Sequence, residues 1–280
     1  MIGEASAPGS SGNLGPGFDT LALAISLRCL ATAEPADTMT LTEHGSTSRL
    51  GENDMIYRAV DMAVGRQMHL TLSNEVPRAR GLGSSGAVTA AAAAAAMKSL
   101  GDDGGRLKVF GIVSELEGHA DNAAASVFGG LVAATSAGIK QLKLHDSLQL
   151  VVGVPDAKLR TADARMALPD SLPYEAVART ISRLSFLLGG LTDGDVGALS
   201  HAGGDEVHEV PRASLSPVSV ELMDAARNAG AAHVCWSGAG PSVLAFTTSA
   251  SRGRVIGAMG GVLGISGEVL ALRVDYEGLR

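Results

Sequence analysis

Residues 80–86 read RGLGSSG, and glycines set beside serines in this way are the residue chemistry that meets an anion. Gly81 and Gly83 let backbone N–H groups come close to a ligand, and Ser84 and Ser85 add hydroxyls. The stretch runs into a long alanine segment, whose helix would turn the positive end of its dipole toward the same ligand. A polyphosphate suits such donors. Two further stretches, NLGPGFD over 13–19 and SGAGPS over 237–242, also combine tight turns with small polar groups, and three such loops in one chain point to a shared ligand pocket. By letter GLGSSG matches the G-x-G-x-x-G of dinucleotide-binding enzymes. Context argues against that reading: PRAR separates the preceding strand from the glycines, and the acidic Asp102 and Asp103 beyond the helix follow no strand. A Walker loop is excluded because no Gly-Lys-Ser/Thr follows. A plain helix cap with Ser84 as N-cap accounts for one serine and one glycine, not for the whole set.

These loops need elements to hold them. The apolar run from Leu21 to Ala33 predicts a strand, paired as a hairpin with TMTLTEH through the turn residues EPAD. In ENDMIYRAVDMAVGR, Ile56, Ala59, Val60 and Ala63 keep helical spacing, and the alternating HLTLSNEV that follows reads as a strand. Gly86 to Lys98 form a helix made almost wholly of alanine, the best helix former, and its small side chains let it lie buried close to its neighbours. Gly101 to Gly105 stop it. VFGIVSELEGHADN reads as the next helix, FGGLVAAT and LQLVVGVP as strands, and YEAVARTISRLSFLLGGL as a further helix. The last third runs through GGDEVHEVPR, a helix ending in MDAARNAGA, then AHVCWSGAGPSVLAFTT and a final helix and strand.

The chain has 280 residues, 46% of them hydrophobic and only 3% aromatic, with 36 glycines, which suits two domains of α/β or α+β type with a core of Ala, Val, Leu and Ile. The boundary is expected near residue 150. A formal charge of -7 and the lack of a Lys/Arg run leave no field to hold nucleic acid. Cys29 and Cys235 have neither a disulfide framework nor a metal-ligand spacing around them and read as reduced, buried thiols. MIGEASAPGSSG lacks the pattern of a signal peptide, and the run AVTAAAAAAAM falls short of the ~18–20 residues of a membrane span, so a soluble cytoplasmic protein is expected.

SSGNLGPGFD, PRARGLGSSGA, EGHADNAAASVFGGLV and SGAGPS, in that order, resemble the GHMP kinases and, within that superfamily, the homoserine kinase family. The resemblance runs from about Ala5 to Phe246. It implies an α+β, two-domain GHMP kinase fold: residues 1–150 resembling domain 2 of ribosomal protein S5, and a ferredoxin-like part over 151–280, with ATP and substrate between them. It implies phosphorylation by ATP of the side-chain hydroxyl of L-homoserine, within threonine biosynthesis, and a homodimer. In that frame Arg80, Gly81, Leu82, Gly83, Ser84, Ser85 and Gly86 wrap the triphosphate, and Asn53 lies near adenine, although a helix N-cap accounts for an Asn there equally well. Mg²⁺ is held by Ser84 or Ser85 together with Glu117, chosen over Glu115. Asp19 takes the substrate ammonium, assisted by Asn13, His119 and Asn122; Arg165 and Arg212 take its carboxylate, for which the planar guanidinium fork is suited. Thr161 lies near the reacting hydroxyl, with Arg165 neutralising charge there.

The chain departs from the usual family pattern in GLGSSGA for GLGSSAA, HADN for HPDN and NAAAS for NVAPA. None of these changes removes a ligand group. Rival readings are a sister kinase for mevalonate or shikimate, and a nucleotide-binding protein without turnover.

Overall fold

The computed structural model describes residues 1–103, 105–135 and 137–280. Two long strands open it, β1 (Gly3–Gly12) and β2 (Leu21–Pro35), paired antiparallel from Gly3↔Ala33 to Gly12↔Ala22. The loop between them holds Asn13, Leu14 and Asp19 at φ of 68°, 53° and 49°. Left-handed backbone at a non-glycine residue costs of order 1 kcal/mol, and strain of that kind persists where a site over-determines it.

The sequence reading expects β2 to form a hairpin with residues 38–44, and the structure corrects this. The elements that follow are β3 (Thr40–Glu43), β4 (Ser46–Arg49), α1 (Met55–Val64) and β5 (Met68–Asn74). β5 lies between β2 and β3, antiparallel to the first and parallel to the second, while β3 pairs with β4. Met68, Leu70 and Leu72 of β5 are buried, which suits a central strand, whereas β4 is exposed throughout. The turn that does form is His44–Gly45, both at positive φ, the two-residue geometry that matches strand twist.

α1 buries Ile56, Ala59, Val60 and Ala63, as their spacing predicts, and its cap is Asp54, whose carboxylate accepts from the N–H of Ile56 at 2.8 Å. α2 (Ser84–Ser99) begins two residues before the expected start. It is buried all round from Gly86 to Met97, and its N-cap is Gly83, not Ser84. Gly104, within the expected stop, lies outside the described residues.

VFGIVSELEGHADN is two helices, not one: α3 (Arg106–Glu117) ends where Gly118 turns left-handed at φ 77°, and α4 (Asp121–Phe128) starts afresh. β6 (Leu131–Thr135) and β7 (Gly138–Leu142) complete the first sheet, ordered β4-β3-β5-β2-β6-β7 with β1 on β2.

β8 (Gln149–Pro155) opens a second sheet. A helical insertion follows: α5 (Thr161–Met166), α6 (Tyr174–Asp193), α7 (Val196–Ser200) and the short α8 (Glu209–Arg212). After it come α9 (Pro217–Asn228), β9 (His233–Trp236), β10 (Val243–Thr247), α10 (Arg252–Leu263) and β11 (Gly267–Leu272). The order β11-β8-β10-β9 with α9 and α10 against one face is the split βαβ of a ferredoxin-like unit. Leu150, Val152, Val154, Leu244 and Phe246 belong to the core shared with the first sheet, so the two units close on each other. The end of the chain returns to the first unit: the N–H of Leu279 bonds Val127 and that of Arg280 bonds Ser6, and Arg28 pairs with Asp275. Cys29 and Cys235 are buried free thiols, and burial pushes the Cys29 thiol up to about 12. Among the described residues no helix is long and apolar enough to cross a membrane.

Candidate active site

The three glycine loops meet. The N–H of Gly238 donates to the carbonyl of Gly12 at 3.0 Å, the Ser237 hydroxyl to the carbonyl of Gly81 at 2.7 Å, and the N–H of Ser10 to the carbonyl of Leu82 at 2.9 Å. Approach this close requires glycine. A Cβ on Gly81 would collide with the Ser237 carbonyl, and one on Gly83 would collide with the Ser10 hydroxyl. The shared-pocket expectation holds: between the loops and α4, α5 and α8 lies a cavity of about 300 Å³.

Most of the residues expected from the sequence line it: Asn13, Asp19, Gly81, Leu82, Gly83, Ser84, Ser85, Glu117, His119, Asn122, Thr161, Arg165 and Arg212. Three stand apart. Asn53 lines an adjoining groove that shares Ser84 and Ser85 with the main cavity. The Arg80 guanidinium is turned away and donates to the Pro155 carbonyl at 2.7 Å. Gly86 faces Glu117, whose carboxylate oxygens lie 3.4 and 3.5 Å from where a Cβ would sit.

Glu117 sits at the end of α3, where the left-handed Gly118 turns the chain away. Burial pushes its carboxyl up to about 7, with His119 and Ser85 opposing the rise and Asp121 adding to it, and its Oε2 is buried with no hydrogen-bond partner among the described residues. Glu115 is exposed and does not line the cavity. His119 meets Asp121 through Nδ1 at 2.6 Å; burial lowers its pKa, but the Asp121 bond and charge, with Glu117, outweigh that and raise it. Asn122 accepts from the Ser10 hydroxyl at 2.9 Å, and the Asn13 side chain bridges the Gly238 carbonyl and the N–H of Asp19.

The two arginines differ. Arg165, on α5, forms a bidentate pair with Asp19 at 2.9 and 2.8 Å. Arg212, on α8, is 1% exposed and has no carboxylate within salt-bridge reach among the described residues. It donates to the carbonyls of Ala164 and Gly238 and to His208 Nδ1. Burial and Arg165 pull its pKa down to about 10, against Asp19, Asp205 and Glu209, so it remains a cation near neutrality. A desolvated guanidinium with no carboxylate in direct contact is costly to maintain, and it favours an incoming carboxylate.

Sequence reasoning passed over Phe18, Asp121, Asp205 and His208. Phe18 and Asp121 stand inside the quoted stretches NLGPGFD and EGHADN, and His208 is four residues before Arg212. Phe18 and His208 meet only across the fold, and the contacts of Asp121 and Asp205, although local, matter through the neighbours they orient, His119 and His208.

Residues 54–130 match the family described as GHMP kinases N terminal domain, and residues 188–263 match GHMP kinases C terminal. The chain belongs to the GHMP kinase family. Its relatives narrow the class. A protein of Moorella thermoacetica named homoserine kinase is 36% identical over 253 residues, 85% of each chain. One of Deinococcus radiodurans, also named homoserine kinase, is 34% identical over 289 aligned positions, 97% of this chain and 94% of the relative. The crystal structure of homoserine kinase from Cytophaga hutchinsonii superposes with a TM-score of 0.88 at 24% identity, covering 100% of this chain and 96% of that one, a likeness of fold.

Proposed function

We propose that the chain transfers the γ-phosphoryl group of ATP to the side-chain hydroxyl of L-homoserine, giving O-phospho-L-homoserine and ADP. The observation that carries this reading is one acid and two guanidiniums, Asp19, Arg165 and Arg212, in the same cavity as the GLGSS loop. A zwitterion needs both signs of charge, whereas mevalonate and shikimate have no ammonium group for Asp19.

The backbone amides of 81–85 and the start of α2 receive the phosphates, with Asn53 in the adjoining groove toward the base. Mg²⁺ fits the donors present: Ser84 and Ser85 offer hydroxyls, and Glu117 offers a carboxylate oxygen, Oε2, with no hydrogen-bond partner among the described residues. When bound, the ion neutralises phosphate charge. Arg212 and Arg165 take the substrate carboxylate, and Asp19 takes the ammonium. Asn13, Asn122 and His119 hold the surrounding frame, and Thr161 stands at the start of α5 beside the reacting end. The hydroxyl oxygen bonds to the γ-phosphorus as the bond to the ADP oxygen breaks, and the hydroxyl proton leaves to solvent. Positioning and charge neutralisation dominate such transfers, so no general base is assigned.

The same reading divides the chain near residue 150, supported by the change of sheet at Gln149, and places the enzyme in the cytoplasm. The test is ADP release from Mg·ATP with L-homoserine, D-homoserine, L-serine, mevalonate and shikimate. Turnover with L-homoserine alone is expected; turnover with another alcohol and none with homoserine would overturn the substrate, and ATP binding without any turnover would overturn the activity.

A further inference from the structure

We infer that His208 is a positioning residue that ties Arg212 to the loop carrying Asp19, and so sets the spacing between the groups that read the two ends of the substrate; this rests on the homoserine reading above. His208 is fully buried, and both of its ring nitrogens are used. Nδ1 lies 3.0 Å from Arg212 Nη1 and Nε2 lies 2.9 Å from the carbonyl oxygen of Gly15, 193 residues away in the chain. A guanidinium can only donate, so Nδ1 accepts and the ring proton sits on Nε2, where it donates to Gly15. One tautomer satisfies both partners.

Burial supports that neutral ring, taking its pKa down to about 4, with Arg212 acting in the same direction and Asp205, Gly15 and Asp19 opposing. Asp205 fixes the backbone that carries the ring: its Oδ2 accepts the backbone N–H of His208 at 2.7 Å and of Glu209 at 3.2 Å, and lies 3.6 Å from His208 Nε2. The imidazole is the only side chain among the described residues that hydrogen-bonds Arg212; its other acceptors are backbone carbonyls. Phe18, next to Asp19, stacks on His208 with ring centroids 5.4 Å apart, and the Arg165 and Arg212 guanidinium carbons lie 5.7 and 5.6 Å from the Phe18 centroid. Arg212 and the Asp19 loop are therefore joined through one ring by hydrogen bonds and by stacking.

Two variants separate these contributions. His208→Phe keeps a flat ring against Phe18 but removes the acceptor for Arg212. His208→Asn keeps an acceptor near Nδ1 and removes the ring. The expected result is that His208→Phe raises KM for L-homoserine at least about tenfold, with kcat and KM for ATP each within about threefold of the starting enzyme. His208→Asn keeps the acceptor for Arg212 but loses the Gly15 bond and the Phe18 stack, so it is expected to raise KM for L-homoserine by an intermediate factor of about three- to fivefold, less than His208→Phe, with kcat and KM for ATP each within about threefold. A ring that served packing alone would reverse this order, with Phe benign and Asn impaired, and that outcome would overturn the inference. So would equal losses of kcat and of ATP affinity in both variants. If the unaltered enzyme fails to turn over L-homoserine, the functional reading itself fails, an outcome told apart from the others because it appears before any substitution is made.

Discussion

Arg165 and Asp19 close on each other across 146 residues of chain, each guanidinium Nη donating to one carboxylate oxygen at 2.9 and 2.8 Å. The groups expected to receive opposite ends of one zwitterion thus satisfy each other until a substrate takes their place. Their side chains are 36% and 34% exposed, so the pair adds at most about 1 kcal/mol to stability. Asp19→Asn is accordingly expected to shift the unfolding free energy by less than about 1 kcal/mol. It should raise KM for L-homoserine by more than about tenfold, with KM for ATP unchanged. Steady-state kinetics beside a denaturant melt checks this, and an unchanged homoserine KM would remove Asp19 from the substrate site.

Arg212 presents the opposite balance, because its charge is buried with no carboxylate in salt-bridge contact among the described residues. Arg212→Met keeps the apolar stem and removes the desolvated charge but deprives three buried acceptors of a donor, so the two effects offset and stability is expected to change by no more than about 2 kcal/mol, while homoserine binding is lost. Calorimetric titration with homoserine and a thermal melt read the two effects separately. A variant that melts much lower yet still binds would show Arg212 to be a structural cation.

The Glu117 carboxyl titrates at about 7 in the fold, against 4.5 when free, so the folded chain holds more protons between those values. Stability from this group is present below about 4.5 and is lost as pH rises to about 7, amounting to at most about 3.5 kcal/mol at about 1.4 kcal/mol per pH unit. Glu117→Gln should therefore melt higher than the unaltered chain at about pH 8 and no higher at about pH 5, a comparison in which the similarly buried Glu209 cancels. A divalent cation needs the ionised form, so apparent Mg·ATP affinity should climb from about pH 6 to about pH 8 and lose that dependence in the variant. A pH-independent difference between the two melts would contradict the assignment.

Two glycines of one loop make contrasting predictions. Gly83 sits at φ 66°, where a Cβ would collide with the Ser10 hydroxyl and lie 2.7 Å from its backbone nitrogen, so Gly83→Ala is expected to destabilise by more than about 2 kcal/mol. Gly86 lies in helical backbone with room for a methyl at 3.4 Å from Glu117, so Gly86→Ala should stabilise by about 0.5–1 kcal/mol. Paired urea melts distinguish them, and equal losses would show that the loop tolerates no added carbon at either place.

Much of this molecule was legible in its residues. The buried face of α1, the alanine helix, and the convergence of GLGSS with NLGPGFD and SGAGPS followed from spacing and from glycine's access to left-handed backbone, which depend on near neighbours. The resemblance then selected Asp19, Arg165 and Arg212, and all three line the cavity. The placement of β5 between β2 and β3 was hidden, since strand order is a contest among all apolar strands for central positions, not a property of any one. The break at Gly118 was marked by the glycine itself, yet glycine occurs so often in this chain that its mark is weak.

The sequence by itself determined which loops could cradle phosphate, because turn chemistry is written in residue types, and through the family resemblance it named the charged side chains expected to read a zwitterion. Tertiary structure alone decided that Arg165 stands half in solvent against Asp19 while Arg212 is enclosed and tied through His208 to Gly15. The physical reason is that desolvation depends on everything packed around a group, and here the partners are drawn from segments more than a hundred residues apart.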